Sequence, residues 1–187
     1  MSPRIAPLDP PYDPEVADTL KRLMGAVDAE PLNLFRTIAH HRQILERFRQ
    51  IGSTLLSHTT LDHVERETVI HRVTARAGAE YEWGVHAVAF ARPLGLTDEW
   101  LAATVDGSPE DFADERQRAL VAMCDELHDT ATLADETYAA LERHWPQEQI
   151  VELLALAGFY RLVSYLVNAL AIEPEPWAER FASMSTT

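Results

Sequence analysis

The chain has 187 residues, 47% hydrophobic and 25% charged, the balance of an ordinary globular protein able to bury a core without disulfides or metals. Its formal net charge of -14 argues against non-specific nucleic-acid binding, which needs clustered Lys and Arg, and reads first as solubility. Cys124 is the only cysteine, which excludes an intramolecular disulfide and any CxxC dithiol chemistry.

Five prolines (Pro3, Pro7, Pro10, Pro11 and Pro14) make residues 1–14 an extended arm, expected to lie across a neighbouring surface. The arm has no apolar h-region, so no signal peptide is expected and a cytoplasmic location follows by default. A short helix is predicted from about Glu15 to Val27. A second starts near Pro31, with apolar Leu34, Ile38, Leu45 and Phe48 on one stripe. Gly52 and the cluster at 57–60 close this region. Thr60 and Asp62 are candidate N-caps for a third helix that carries Glu65 and Glu67 early and stops at Gly78. A fourth runs from Ala79 to Arg92, ended by Pro93 and Gly95, and Thr97 opens a fifth. After the Ser108–Pro109 loop come helices at Phe112 to His128, Ala134 to Arg143 and Gln147 to Ile172. The last is the longest apolar stretch. Glu152, Arg161, Ser164 and Asn168 interrupt it, so it is expected to be a buried helix with no membrane partner. No alternating pattern survives. The expected architecture is all-α: one domain over 15–173, between the arm and a 174–187 tail that holds a short Trp177 to Met184 segment.

Two acids and a histidine stand out. Glu67 falls between Val64 and Ile70 on one helix face, where an acid is either paired, functional or at a solvated rim. Glu82 and His86 are four apart, so the carboxylate can hydrogen-bond the imidazole and raise its pKa. That is a workable acid–base pair; the bland alternative is an exposed i,i+4 ion pair. Tyr81 and Trp83 could wall a pocket or simply fill the core. His41 lies on the Leu34–Phe48 stripe, as a core histidine or a ligand contact. His63, Glu67 and His71 suggest a metal, but positions 63 and 71 are about 12 Å apart along the axis and cannot share an ion. Neither a metal nor another cofactor is expected. Gly78 permits a sharp turn that puts Glu67 and His86 at similar heights on facing helices. Glu67, Tyr81, Glu82 and His86 should then line one partly buried pocket, with at least one carboxylate raised by desolvation.

The runs Glu65-Arg66-Glu67-Thr68-Val69-Ile70, Ala79-Glu80-Tyr81-Glu82-Trp83-Gly84-Val85-His86 and Gly95-Leu96-Thr97-Asp98-Glu99, in this order and spacing, resemble the carboxymuconolactone decarboxylase family, which includes the alkylhydroperoxidase D-like proteins. A weaker likeness continues through Gly158-Phe159-Tyr160 to Ser164 and Asn168. The resemblance implies an alkylhydroperoxidase D-like helical bundle that assembles as a homo-oligomer, a trimer or hexamer. In the family's peroxidase branch two cysteines precede the histidine by seven and four residues. Here Ala79 and Glu82 hold those positions, so the decarboxylase branch fits better. What it implies is a cofactor-free lyase or isomerase acting on a small carboxylated lactone or related acid. His86 would be the acid–base catalyst, with Glu67 and Glu82 orienting it and Tyr81 donating to an oxyanion. Trp83, His41 and one arginine, with Arg72 taken first among Arg72, Arg76 and Arg92, would bind substrate. The rival readings are an antioxidant protein that has lost its cysteine pair and a non-catalytic ligand-binding oligomer.

Overall fold

The computed structural model describes residues 2–25 and 29–181, and among these there is no β-strand. The helices are α1 (Pro14–Met24), α2 (Asn33–Ile38), α3 (Arg42–Ser57), α4 (His63–Arg76), α5 (Glu80–His86), α6 (Asp98–Asp106), α7 (Glu115–Thr130), α8 (Asp135–His144) and α9 (Gln147–Ala169). The all-α expectation holds. Val27, set as the end of the first helix, and the tail beyond residue 181 lie outside the described residues.

Several boundaries follow their caps. The Asp62 side chain accepts from the Val64 amide at 2.8 Å, a cap whose loss costs about 1 kcal/mol. Thr97 caps α6 in the same way. The helix expected from Pro31 through Phe48 is instead two helices. The amides of His40 and His41 close back on Thr37 and Ile38, and His41 leaves helical geometry to cap α3. α7 begins three residues later than Phe112 because Asp114 caps it. α5 continues into one π turn, Ala87–Ala91, in which the Arg92 amide bonds the carbonyl of Ala87 five residues back.

α4 sits at the centre and packs against α5, α6, α7 and α9. Ten consecutive residues, Glu65 to Thr74, are buried, although seven of them carry polar or charged groups. Burial on this scale requires every charge to be matched. Glu65 accepts from Arg116 and from the Trp145 indole. Arg72 donates to both oxygens of Asp125 at 2.7 Å and to the Thr104 carbonyl. Thr68 and Thr74 bond carbonyls one turn back in their own helix. α9 is long and apolar enough to cross a membrane by composition alone, but its Leu153, Leu156, Tyr160 and Val163 are buried in this bundle.

Gly78 adopts φ +63°, a left-handed conformation that ends α4 and folds α5 back against it. Two extended segments then close the helices. The N-terminal arm lies along its own chain: Arg4 bonds the end of α9, and Leu8 exchanges bonds with Arg36 of α2. Residues 173–181 form a strap across α5. Glu179 crosses so close to Gly84 that a Cβ there would stand 2.0 Å from its carbonyl oxygen.

Candidate acid–base site

Glu67 from α4 and His86 from α5 meet: His86 Nδ1 is 2.9 Å from Glu67 Oε2. The turn at Gly78 makes this contact, as the helix heights suggested. Both side chains are almost fully buried. The second oxygen of Glu67 accepts from the neighbouring Arg66 guanidinium at 2.9 Å, so both its oxygens are occupied.

The far side of the imidazole is less complete. His86 Nε2 lies 3.0 Å from the hydroxyl of Tyr160 on α9 and 3.5 Å from Glu82 Oε1. The ring of Phe90, held one turn on by the π segment, stacks on the imidazole with centroids 4.6 Å apart. The other oxygen of Glu82 is buried and has no hydrogen-bond partner among the described residues.

Burial alone would strip the proton from His86. The charge and hydrogen bond of Glu67, reinforced by Glu82, outweigh it and lift the imidazole to about 9. Burial likewise pushes the Glu67 carboxyl up, but His86, His71 and Arg66 hold it below the usual carboxylate range. The expectation of a carboxylate raised by desolvation therefore fails at Glu67, because opposite charge wins over burial there. His71 has the reverse outcome. Its Nδ1 is tied to the Glu67 backbone carbonyl at 2.8 Å, and burial drives its pKa down to about 4. At neutral pH His86 is an imidazolium and His71, one layer away, is neutral.

Glu82 and His86 line a cavity of about 340 Å³, within the range of small-molecule sites. Leu34, Phe48, Val85, Phe90, Phe159 and Tyr160 are among its lining residues, as are Arg22, Arg49 and Trp177. Glu67 stands behind His86 and does not line it.

Four of the expected site residues are placed differently. Tyr81 is buried, but its hydroxyl donates to Glu175 of the strap at 2.7 Å and accepts from the Leu34 amide, so it holds the strap and does not face His86. Trp83 is fully buried in a second apolar cluster, with its indole bonded to Thr104. Arg72 is committed to Asp125 and turned toward α7. His41 borders an open groove of about 1240 Å³ along α1 and α3, lined by none of Glu67, Glu82 and His86. Sequence reading missed Tyr160 and Phe90. Phe90 lies four residues after His86 and was within reach of a helical-spacing argument, whereas Tyr160 is separated by 74 residues and fell in the weaker likeness at Gly158-Phe159-Tyr160 with no role attached to it. Cys124 is buried against the Val69 carbonyl and lines a different cavity; burial first, then Asp125, pushes its thiol pKa far up.

The whole chain is similar in shape to several solved proteins. A debrominase, Bmp8, crystallised with 2,3,4-tribromopyrrole, aligns over 95% of this chain and 94% of its own at 17% identity and a TM-score of 0.77. An uncharacterized peroxidase-related protein from Silicibacter sp. TM1040 aligns over 94% of this chain and 95% of its own (19% identity, TM-score 0.78). An alkylhydroperoxidase AhpD core protein from Ralstonia eutropha JMP134 aligns over 92% and 93% (17%, 0.78). At these identities the likeness establishes the fold. No curated protein matches the sequence. The carboxymuconolactone decarboxylase family model matches residues 42–126, the segment that carries Glu67, Glu82 and His86. Over that segment the chain is similar to the carboxymuconolactone decarboxylase family, and its fold is that of the alkylhydroperoxidase D-like structures.

Proposed function

We propose that this protein is a cofactor-free lyase or isomerase that moves a proton to or from carbon on a small carboxylated lactone or related acid. The observation that carries the reading is the imidazolium of His86, held by buried Glu67 at the wall of a small apolar cavity. In a decarboxylation the carbon–carboxylate bond breaks, carbon dioxide leaves, and the electron pair stays on the ring as an enolate. His86 Nε2 then gives its proton to the carbon and becomes neutral, to be recharged from solvent. Glu67 stays ionised throughout and stabilises the charged state of the ring. Tyr160, 3.0 Å from Nε2, takes the oxyanion-donor role expected of Tyr81. With Arg72 closed by Asp125, the substrate carboxylate falls to Arg22 and Arg49, which also line the cavity. Their ion pairs with Asp18 and Glu46 are partly or fully exposed and cost little to exchange.

A flat ring suits the cavity's size and aromatic wall, and the structurally similar debrominase was crystallised with such a ring, 2,3,4-tribromopyrrole. A thiol-based antioxidant reading lacks a nucleophile here, since Cys124 lines another cavity. The test is a screen of carboxylated lactones by ultraviolet absorbance in deuterated water, with wild type and His86→Gln in parallel. Turnover should place solvent deuterium on the product carbon and fall by about 10² to 10⁴ in the variant. Equal rates in the two proteins, or product without deuterium at carbon, would rule the reading out.

A further inference from the structure

Glu82 is the one acid at the cavity wall whose bonding is unfinished. Its side chain is 9% exposed. Oε1 faces His86 Nε2, while Oε2 is buried and has no partner among the described residues. Glu67, one layer deeper, shows the contrast, with both oxygens taken by His86 and Arg66. Buried polar atoms are nearly always paired, and an exception beside a cavity marks a place where another molecule completes the bond. An acceptor of this kind calls for a donor. The neighbouring walls are aromatic and aliphatic, Val85, Phe90 and Phe159 among them, so the donor should sit on a flat, otherwise apolar body.

We propose that Glu82 reads a hydroxyl: the cavity takes a small flat ring bearing an enol or phenol O–H, which donates to Glu82 Oε2 while the ring lies among Phe90, Phe159 and Tyr160. The inference deepens the reading given above and rests on it for the identity of the cavity as the substrate site. It makes Glu82 a specificity residue. A carboxylate at this end of the cavity would face Glu82 and be repelled, which sends the acid group of the substrate to Arg22 and Arg49. An enol O–H at Glu82 also stands beside the imidazolium, so the oxygen that carries enolate charge and the proton donor share one end of the site.

Isothermal titration of the full chain with phenol and with its methyl ether, anisole, tests this. Wild type should bind phenol at least about tenfold more tightly than anisole, the ratio expected for one hydrogen bond to a charged acceptor. Glu82→Met, checked for folding by circular dichroism, should bring the two within about twofold. Glu82→Gln, which keeps a carbonyl acceptor and carries the test if the methionine variant does not fold, should retain only part of the preference. Equal binding of phenol and anisole by wild type, an undiminished preference in the variants, or binding of neither at millimolar concentration would overturn the proposal. His86→Gln separates it from the catalytic reading. Preference retained with no turnover by any form sinks the catalysis alone, and turnover without preference sinks the role of Glu82 alone.

Discussion

α4 carries two buried ionic clusters, one turn and a half apart, that are built to opposite ends. At Arg72 the guanidinium meets both oxygens of Asp125 and the Thr104 carbonyl, and the pair faces α7. At Glu67 the carboxylate is saturated, but the His86 it holds opens onto about 340 Å³ of space beside an unpaired oxygen of Glu82. Similar residue types on the same helix thus serve different ends. A closed network holds helices together. A network left incomplete at a cavity is available for chemistry, because the missing partner can be a substrate.

The sharpest way to break this comparison is at its closed side. Arg72→Met removes one partner and leaves Asp125 with only its longer ion pair to Arg76, at 3.3 Å, and a carbonyl without its guanidinium donor. Fully buried pairs lose about 3–5 kcal/mol on such a cut. Asp125 keeps some contact with solvent, its side chain being 22% exposed, so about 2–3 kcal/mol is expected, read as a drop in the urea midpoint. Phenol binding should persist in the folded fraction. Loss of binding with unchanged stability would show that the Arg72 cluster belongs to the site.

pH sharpens the open side. His86 stands at about 9 in the fold against 6.5 for an ordinary histidine. The folded state therefore binds more protons between those values. The stabilisation is complete below pH 6.5 and is lost as pH rises toward 9, on the order of 3 kcal/mol in all. His71, lowered to about 4, acts in the other direction: the unfolded chain binds the extra proton, so stability falls as pH drops from 6.5 toward 4. Glu67, held low, adds to that acid loss below its ordinary value of 4.5. Urea midpoints across pH 4 to 9.5 should peak near 6.5. Glu67→Gln should flatten the alkaline limb, and a limb that survives in this variant would mean that Glu67 does not hold the imidazolium.

The smallest expected effect is at Cys124, which packs on the closed side of α4 against the Val69 carbonyl. Cys124→Ser should leave turnover unchanged and shift stability by under about 1 kcal/mol. Loss of a measured peroxidase activity in this variant would bring the antioxidant reading back.

How much of this was legible depends on range along the chain. Local rules found the caps at Asp62 and Thr97, and the left-handed turn at Gly78 brought Glu67 and His86 together across nineteen residues. The same rules could not find Tyr160, because nothing near it in sequence says what α9 will face. Nor could they aim Tyr81, whose hydroxyl is claimed by Glu175 from 94 residues away. Arg72 was one of three arginines that could bind a carboxylate, and no spacing picked among them; which face of α4 meets α7 is decided by packing. The π turn after His86 was invisible for a related reason: the stretch Ala87-Val88-Ala89-Phe90-Ala91 carries no signal that separates π from α geometry, and the stacking of Phe90 on His86 is tertiary.

The distance between His86 and Tyr160 has a consequence in time. Ribosomes add roughly 5–20 residues per second, so about 4–15 s separate the synthesis of the two residues, which lie 74 positions apart. During that interval α4 and α5 can form their turn while the Glu67–His86 pair is still hydrated on the side α9 will cover. Until α9 and the strap close, water shields both charges and His86 titrates much as a free histidine does. A nascent chain thus holds the two halves of its acid–base pair early, yet the proton becomes firmly bound only when the last helix arrives.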